Sequence, residues 1–323
     1  MAVAEFHGRV MASHLHVIAV GSSDAEDTEV LNGAIRGAVL YLEHLEQCWS
    51  RFIPTSDVSR INQLGPDGGV VDVDPSTLTL LAAMIEGYHV TAGRFDPTVL
   101  SSMIREGYAV SITDPAAASS GTAAGGNPAS LYKLQLDPAA ATVVVEDGLT
   151  IDPGGIGKGL AADLAVARLI EAGVDGAMVS IGGDLAAGGT TPDPAGWIVD
   201  VEQPDPADGV LCSLAIDGGG VATSSVRSRR WVSRGIERHH QIDPLTAACS
   251  TTDLTAVTVF APAGWLAEVH ATAALAVGSD AAIGYLDGHG LSGIAVTMTA
   301  SGERVWVTGD LEGVVLGVAS AGR

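Results

Sequence analysis

Apolar positions along the chain switch between a period of two and a period near four, and those switches set out its elements. His14 to Val20 is an apolar run of strand length, and Glu29 to Cys48 carries Leu31, Ile35, Val39, Leu42 and Leu45 on one side of a helix. Ser50 to Leu64 reads as a loop with a short helix, and Leu78 to Ala92 as a helix stopped by Gly93. Tyr132 to Leu136 and Thr142 to Glu146 predict a hairpin across Asp137-Pro138. In the helix that follows, Leu160, Leu164, Ala167 and Ile170 share a face, and Gly173 supplies the stop. Ala177 to Ile181 is the next apolar strand, ending at Gly182-Gly183-Asp184. Strands at Gly196 to Val201, Leu211 to Ile216 and Val221 to Ser225 precede a hairpin over Arg230 to Ile242 that turns at Arg234-Gly235. A strand at Thr255 to Phe260 and a helix from Gly264 to Val277, stopped by Gly278, complete the pattern. Such alternation flanked by hairpins predicts an α+β fold with mixed and antiparallel sheets and packed helices. Residues 113–129 are small and polar, so they are expected to form a flexible surface loop inside one two-lobed domain spanning residues 1–323.

Composition narrows the function classes. At 323 residues with 47% hydrophobic content, the chain can bury a sizeable core. Sixteen basic against 38 acidic residues leave a net charge of −22, which argues against nucleic-acid or anionic-membrane partners. An anionic ligand then needs local positive features. Cys48, Cys212 and Cys249 are widely spaced and lack a C-x-x-C, so they read as small buried hydrophobes without disulfides or zinc. No charged n-region precedes an apolar run, and no apolar span reaches about 18 residues, so a cytoplasmic location without membrane insertion is expected.

Candidate chemistry concentrates at Ile151-Asp-Pro-Gly-Gly-Ile-Gly-Lys-Gly-Leu-Ala-Ala-Asp163. Glycines free backbone N–H groups to approach an anion, a helix N-terminus adds its dipole, and Lys158 adds a mobile charge, which together read as a phosphate cradle. A plain strand-to-helix turn is the competing reading. Neither common glycine pattern fits, because a P-loop needs Gly at Asp152 and Ser or Thr at Gly159, and a dinucleotide fingerprint needs Gly at Leu160. Further candidates are Gly93-Arg-Phe-Asp-Pro-Thr98, His239-His-Gln-Ile-Asp-Pro-Leu-Thr246, and Glu268 with Thr272 on one helix face. By themselves these read as turns and a solvated helix face, ahead of the reading in which Glu268 and Thr272 offer two oxygens to a hard cation. Five arginines, Arg227, Arg229, Arg230, Arg234 and Arg238, cluster on the expected hairpin, either as an anion guide or as a solvated face.

The ordered series Asp152-x-Gly-Gly-Ile-x-Lys158-Gly, Ser180-Ile-Gly-Gly-Asp184, Ala222-Thr-Ser-Ser225, His240-x-Ile-Asp-Pro-x-Thr246 and Glu268-x-x-x-Thr272 resembles the ApbE family of flavin transferases, from about Met11 to Val296. The resemblance implies an α+β body with FAD in a groove. It also implies an enzyme that moves FMN from FAD, as substrate, onto a Thr or Ser hydroxyl of an acceptor flavoprotein, releasing AMP with Mg2+ required. Met11, Phe52, Phe95, Asp96, Asp152, Lys158 and Ile242 stand where family members contact FAD. Gly155, Glu268, Ala271 and Thr272 stand at the metal positions, Gly155 and Ala271 through carbonyls. His240 is then the base that accepts the hydroxyl proton, with Asp243 to orient it or assist the metal. His239 points to the opposite face of a strand. Three family positions differ here: Glu268 replaces an Asp, Ala247 a Gly, and Phe52 a tyrosine. An FAD pyrophosphatase and a non-catalytic flavin-binding protein with a degenerate metal site remain alternative readings.

Overall fold

The first hairpin shows how unevenly the pattern reports the structure. In the computed structural model, which describes residues 1–22, 25–111, 114, 116–119, 128–146, 148–204, 209–299 and 302–311, the strand expected at His14–Val20 is β2 (Ser13–Gly21). It pairs with β1 (Ala2–Val10), which the pattern did not announce. There follow α1 (Ala25–Trp49), α2 (Asp57–Asn62), β3 (Gly69–Asp72), α3 (Pro75–Val90), α4 (Leu100–Arg105), β4 (Gln135–Asp137), β5 (Thr142–Val145), α5 (Gly157–Glu171), β6 (Gly176–Ile181) and β7 (Asp184–Gly189). The rest is β8 (Trp197–Glu202), β9 (Val210–Ile216), β10 (Gly219–Ser225), β11 (Arg230–Ser233), β12 (Ile236–His239), β13 (Ile242–Asp243), β14 (Ala248–Cys249), β15 (Ala256–Ala261), α6 (Gly264–Val277), α7 (Ala282–Gly288), β16 (Ser292–Thr299) and β17 (Gly302–Val307).

The chain divides into two units. One takes Met1–Leu42, Lys158–Arg227 and Thr252–Arg323, and the other takes Glu43–Gly157 and Ser228–Thr251. The first is built on an eight-stranded sheet in the order β1-β2-β6-β7-β10-β15-β16-β17, in which every neighbouring pair is antiparallel. Within it β1–β2, β6–β7 and β16–β17 are hairpins, whereas β15 reaches β16 through α6 and α7, and an antiparallel sheet can keep one face wet. One apolar cluster joins Val20, Met178, Leu185, Trp197 and Val221, while α6 buries Ala271, Ala274 and Leu275 against Val257 and Val259. Because α6 is covered on almost every side, Glu268 and His270 are drawn into the core with it and require polar partners there.

The second unit holds the three-stranded sheet β3-β5-β4, the pairs β11–β12 and β13–β14, and α2 to α4. Ser56 caps α2 by accepting from Ser59 N at 3.0 Å, and Asp74 caps α3 by accepting from Ser76 N at 2.8 Å, with Pro75 in the first turn. The β11–β12 hairpin turns at Arg234 and Gly235, with φ of 52° and 76°, the two left-handed residues that suit a two-residue turn.

Two expectations differ. The first arm expected at Tyr132–Leu136 begins in a 3-10 helix, Pro128–Lys133, and its strand starts only at Gln135. On α5 the buried residues include Leu160, Ala161, Ala165 and Leu169, whereas Ala167 and Ile170 are exposed. An alanine-rich helix is apolar on nearly every side, so its period selects no face. The loop expected at 113–129 falls largely outside the described residues. Cys212 is buried, while Cys48 and Cys249 are half-buried, and all three are free thiols. Among the described residues no helix is long and apolar enough to cross a membrane.

Candidate active site

In the first unit, two helix mouths meet. A Cβ on Gly159 would lie 2.4 Å from the Gly264 carbonyl oxygen, so only glycine lets the starts of α5 and α6 approach this closely. Each helix then caps the other. Glu268 on α6 accepts from Gly159 N at 2.8 Å, and Asp163 on α5 accepts from Gly264 N and Trp265 N at 2.8 and 2.9 Å. Ala263, at the cap of α6, has no side chain for the task. Burial, then the nearby Glu268 charge, pushes the Asp163 carboxyl up to about 6 against the pull of those two N–H groups.

This arrangement corrects the cradle. The anion at the α5 N-terminus is the protein's own Glu268, and Pro153 O takes Ile156 N and Gly157 N at 3.1 and 2.8 Å. Nor is Lys158 a mobile charge. Its Nζ sits 3.2 Å from Glu268 Oε1 and bonds Asp184 Oδ2, both carboxylates being almost fully buried. Close backbone packing explains why: the helix mouth faces α6, so a neighbouring side chain reaches the open N–H before any ligand does. The P-loop hydroxyl excluded by Gly159 has no room either, since Gly264 occupies that space.

Around this pair the first unit gathers further polar groups. Asp184 Oδ1 accepts from Thr223 N at 3.1 Å, and Thr272 Oγ1 lies 3.1 Å from Ser224 Oγ. Thr272 thus meets β10, while Glu268, one turn earlier on α6, meets the start of α5. Met11 lies in the β1–β2 turn, where Met11 and Ala12 both hold left-handed φ values of 52° and 56°, a strained choice for residues with side chains. Gly182, at the β6–β7 turn, donates to His14 O at 2.8 Å; a Cβ there would meet Ser13 Oγ at 2.8 Å and Lys158 Cδ at 3.9 Å. Met11, Lys158, Glu268 and Thr272 therefore sit at one end of the sheet. Ala271 lies within α6 with its methyl in the core. Asp163 and Asp184 were missed as site residues; the end of the Gly182-Gly183-Asp184 turn was the one available signal.

The second unit carries the other positions. Phe52 and Ile242 join Val99, Met103, Tyr108 and Trp231 in one apolar cluster, with the Tyr108 and Trp231 rings stacked at 5.0 Å. Arg51 lies between rings, 4.2 Å from the Phe52 centroid and 4.6 Å from that of Tyr108, and its Nε is 3.1 Å from Asp152 Oδ1. Asp152 N donates to Pro97 O at 2.7 Å, which ties this segment to Gly93–Thr98. Within that segment Phe95 is buried, and Asp96 accepts from Thr98 N and Thr98 Oγ1 at 2.8 and 2.7 Å. Burial raises the Asp96 carboxyl, against the Thr98 bonds. Gly155 is half-buried in the turn before α5.

His240 follows β12 and is half-buried. Its Nδ1 lies 3.1 Å from Ser228 O, and since a carbonyl only accepts, Nδ1 carries the proton. Nε2 is then the lone pair, 3.2 Å from the Gln241 amide. An orienting partner for the imidazole is thus a backbone oxygen. Asp243 serves its own turn, accepting from Leu245 N at 3.0 Å through Oδ1 and from Ala247 N at 2.8 Å through its carbonyl. Ala247 holds φ of 53°, the conformation for which a glycine is suited. His239 lies at the end of β12 with its Nδ1 buried, and burial lowers its pKa. Two members of the arginine cluster are matched by carboxylates, Arg230 by Glu237 and Arg238 by Glu106, the latter at 2.7 Å.

The sequence profile of the ApbE family matches residues 11–296. The chain belongs to the ApbE family. A Klebsiella pneumoniae protein named FAD:protein FMN transferase is 30% identical over 162 residues, 50% of this chain and 46% of that protein. A Rhodobacter capsulatus protein of the same name is 27% identical over 277 residues, 84% of this chain and 51% of that one. The chain therefore spans about half the length of the curated relatives it matches. Among solved structures, the apo Pseudomonas stutzeri flavinyl transferase ApbE is similar with a TM-score of 0.77 at 25% identity, covering 97% of each chain. The Thermotoga maritima ApbE protein, 22% identical over 98% of this chain and all of its own, gives 0.78 and shows the same fold.

Proposed function

We propose that this ApbE-family chain is an FAD:protein FMN transferase that moves the FMN half of FAD onto a Thr or Ser hydroxyl of an acceptor flavoprotein and releases AMP. The observation that carries this reading is the pair of buried carboxylates Asp184 and Glu268 on Lys158, with the Thr272 hydroxyl one turn along α6 beside Ser224, in a family whose relatives bear that name. The donor set fits magnesium, because carboxylates and a hydroxyl are hard oxygens and two buried carboxylates exceed one ammonium in charge. Glu268 and Thr272 would hold the ion, with the carbonyl of Ala271 as a further position implied by the family. Bound there, it would offset charge on the pyrophosphate.

The chain's own residues do the rest. Met11 and Lys158 in the first unit, and Phe52, Phe95, Asp96, Asp152 and Ile242 in the second, stand at the FAD positions that the family implies, and the Phe52 ring supplies a stacking face without a tyrosine hydroxyl. His240 acts as base. With Nδ1 held by Ser228 O, Nε2 takes the acceptor proton once the Gln241 amide turns aside. The acceptor oxygen forms a bond to the FMN phosphorus, the bridging P–O bond breaks, AMP leaves with its electron pair, and the proton remains on Nε2.

Incubation with FAD, Mg2+ and a candidate acceptor is expected to add one FMN to the acceptor by mass spectrometry. His240→Ala should abolish that gain while FAD binding persists. Full transfer by the variant removes His240 from the chemistry. Release of FMN and AMP without acceptor modification indicates a pyrophosphatase, and FAD binding with no AMP release indicates a non-catalytic flavin-binding protein.

A further inference from the structure

Apart from that cluster, the outer face of the first hairpin carries an unusual concentration of metal-ligating groups. In the β1–β2 register His7 stands directly opposite His16, and Arg9 opposite His14, while Glu5 lies two residues before His7 on the same face. The His7 and His16 rings stack at 4.1 Å with planes 13° apart, and the His14 ring lies 5.5 Å from that of His7. Glu5 Oε2 is 3.3 Å from His16 Nε2 and 3.9 Å from His7 Nε2. One ligand atom from each of Glu5, His7 and His16 falls within 4.8 Å of the others.

We propose that Glu5, His7 and His16 form a site for a divalent transition cation of the zinc class, with water or His14 completing the shell. This proposal does not depend on the transfer reading. Two imidazoles and a carboxylate are the donor types that zinc takes in three-ligand sites. In a tetrahedral site with ligands about 2.0–2.1 Å from the ion, neighbouring ligand atoms lie about 3.3 Å apart. The His16 and Glu5 atoms already stand at 3.3 Å, and the His7 and Glu5 atoms need to close by about 0.6 Å from 3.9 Å, within reach of an exposed histidine rotamer. A cation would displace the proton that His16 Nε2 now donates to Glu5, and the chain's charge of −22 draws cations toward it.

The second such group, His44, Cys48 and Asp74, is less suited. Asp74 spends one oxygen on the α3 cap and the other on His44 at 2.9 Å, while burial and then Asp74 push the Cys48 thiol up to about 11. An ion at Glu5, His7 and His16 would tie the edge strand β1 to β2, adding stability that rises with the logarithm of the free ion concentration above its Kd.

The test is zinc binding to the chelator-stripped chain by calorimetry in excess Mg2+, which occupies oxygen-only sites. One Zn2+ per chain is expected, and His7→Ala and His16→Ala should each weaken it at least about tenfold, since losing even an outer-shell partner costs that much. X-ray absorption should show nitrogen and oxygen neighbours only. No zinc binding, unchanged affinity in the doubly substituted His7→Ala and His16→Ala chain, or a sulfur neighbour pointing to Cys48 would each overturn the proposal.

Discussion

Replacing Gly159 by alanine tests the mutual capping of α5 and α6 most directly. The added Cβ would meet Gly264 O at 2.4 Å, Gly264 C at 2.5 Å and Trp265 N at 2.8 Å, all backbone atoms that cannot rotate away. Since real Cβ contacts stay above 3.0 Å, the helix mouths must part by at least 0.6 Å. That movement stretches the bonds at 2.8, 2.8 and 2.9 Å to Glu268 and Asp163, each a backbone N–H held by a carboxylate. Overpacking costs about 1–3 kcal/mol, and weakened bonds to charged groups add to it, so the expected loss is about 3 kcal/mol or more. Urea unfolding followed by tryptophan fluorescence measures it. The same chemical change at Gly284, inside α7 with nothing within 4 Å of the new Cβ, should instead stabilise by about 0.5–1 kcal/mol. A Gly159→Ala chain within about 0.5 kcal/mol of the parent would refute the packing argument, because surface substitutions alone produce changes of that size.

Two further outcomes follow from strain and titration. Ala247→Gly should raise stability by about 1 kcal/mol, because Ala247 holds φ of 53° and glycine relieves the left-handed penalty; the urea midpoint reads the change. Burial, and then His289, lowers the pKa of His270 from 6.5 to about 4, so its contribution is complete above pH 6.5 and is lost as pH falls toward 4. Asp163 runs the other way, its pKa raised from 3.8 to about 6, so its contribution is complete below pH 3.8 and is lost as pH rises through 6. His270→Gln should therefore remove an acid-side loss of about 2–3 kcal/mol between pH 6.5 and 4, measured as the difference between the two unfolding profiles. Equal pH slopes for both chains would contradict the buried, neutral state of His270.

The sequence by itself determined the elements whose side chains divide cleanly between core and solvent. β2 buries Leu15, Val17 and Ala19, and α1 buries Leu31, Ile35, Leu42 and Leu45, so their patterns read correctly. It also supplied the ordered motifs, because Asp152, Lys158, His240 and Glu268 keep their spacing whatever the fold does between them. Elements without a one-sided environment were not legible. β1 is an edge strand exposed on much of both faces, with Ala4 and Val10 buried, so it carries no alternation to read. α5 is apolar almost all round, so its buried side is set by what packs on it and not by its period. Partnership was decided by tertiary structure alone. Glu268 lies 109 positions from Gly159 and Asp163 lies 101 from Gly264, and no local pattern can announce that these helix starts meet and satisfy one another. The same holds for Lys158, which reads as a free cation along the chain and is fixed by Asp184 and Glu268 once the sheet and α6 enclose it, because a buried charge is stable only beside its opposite.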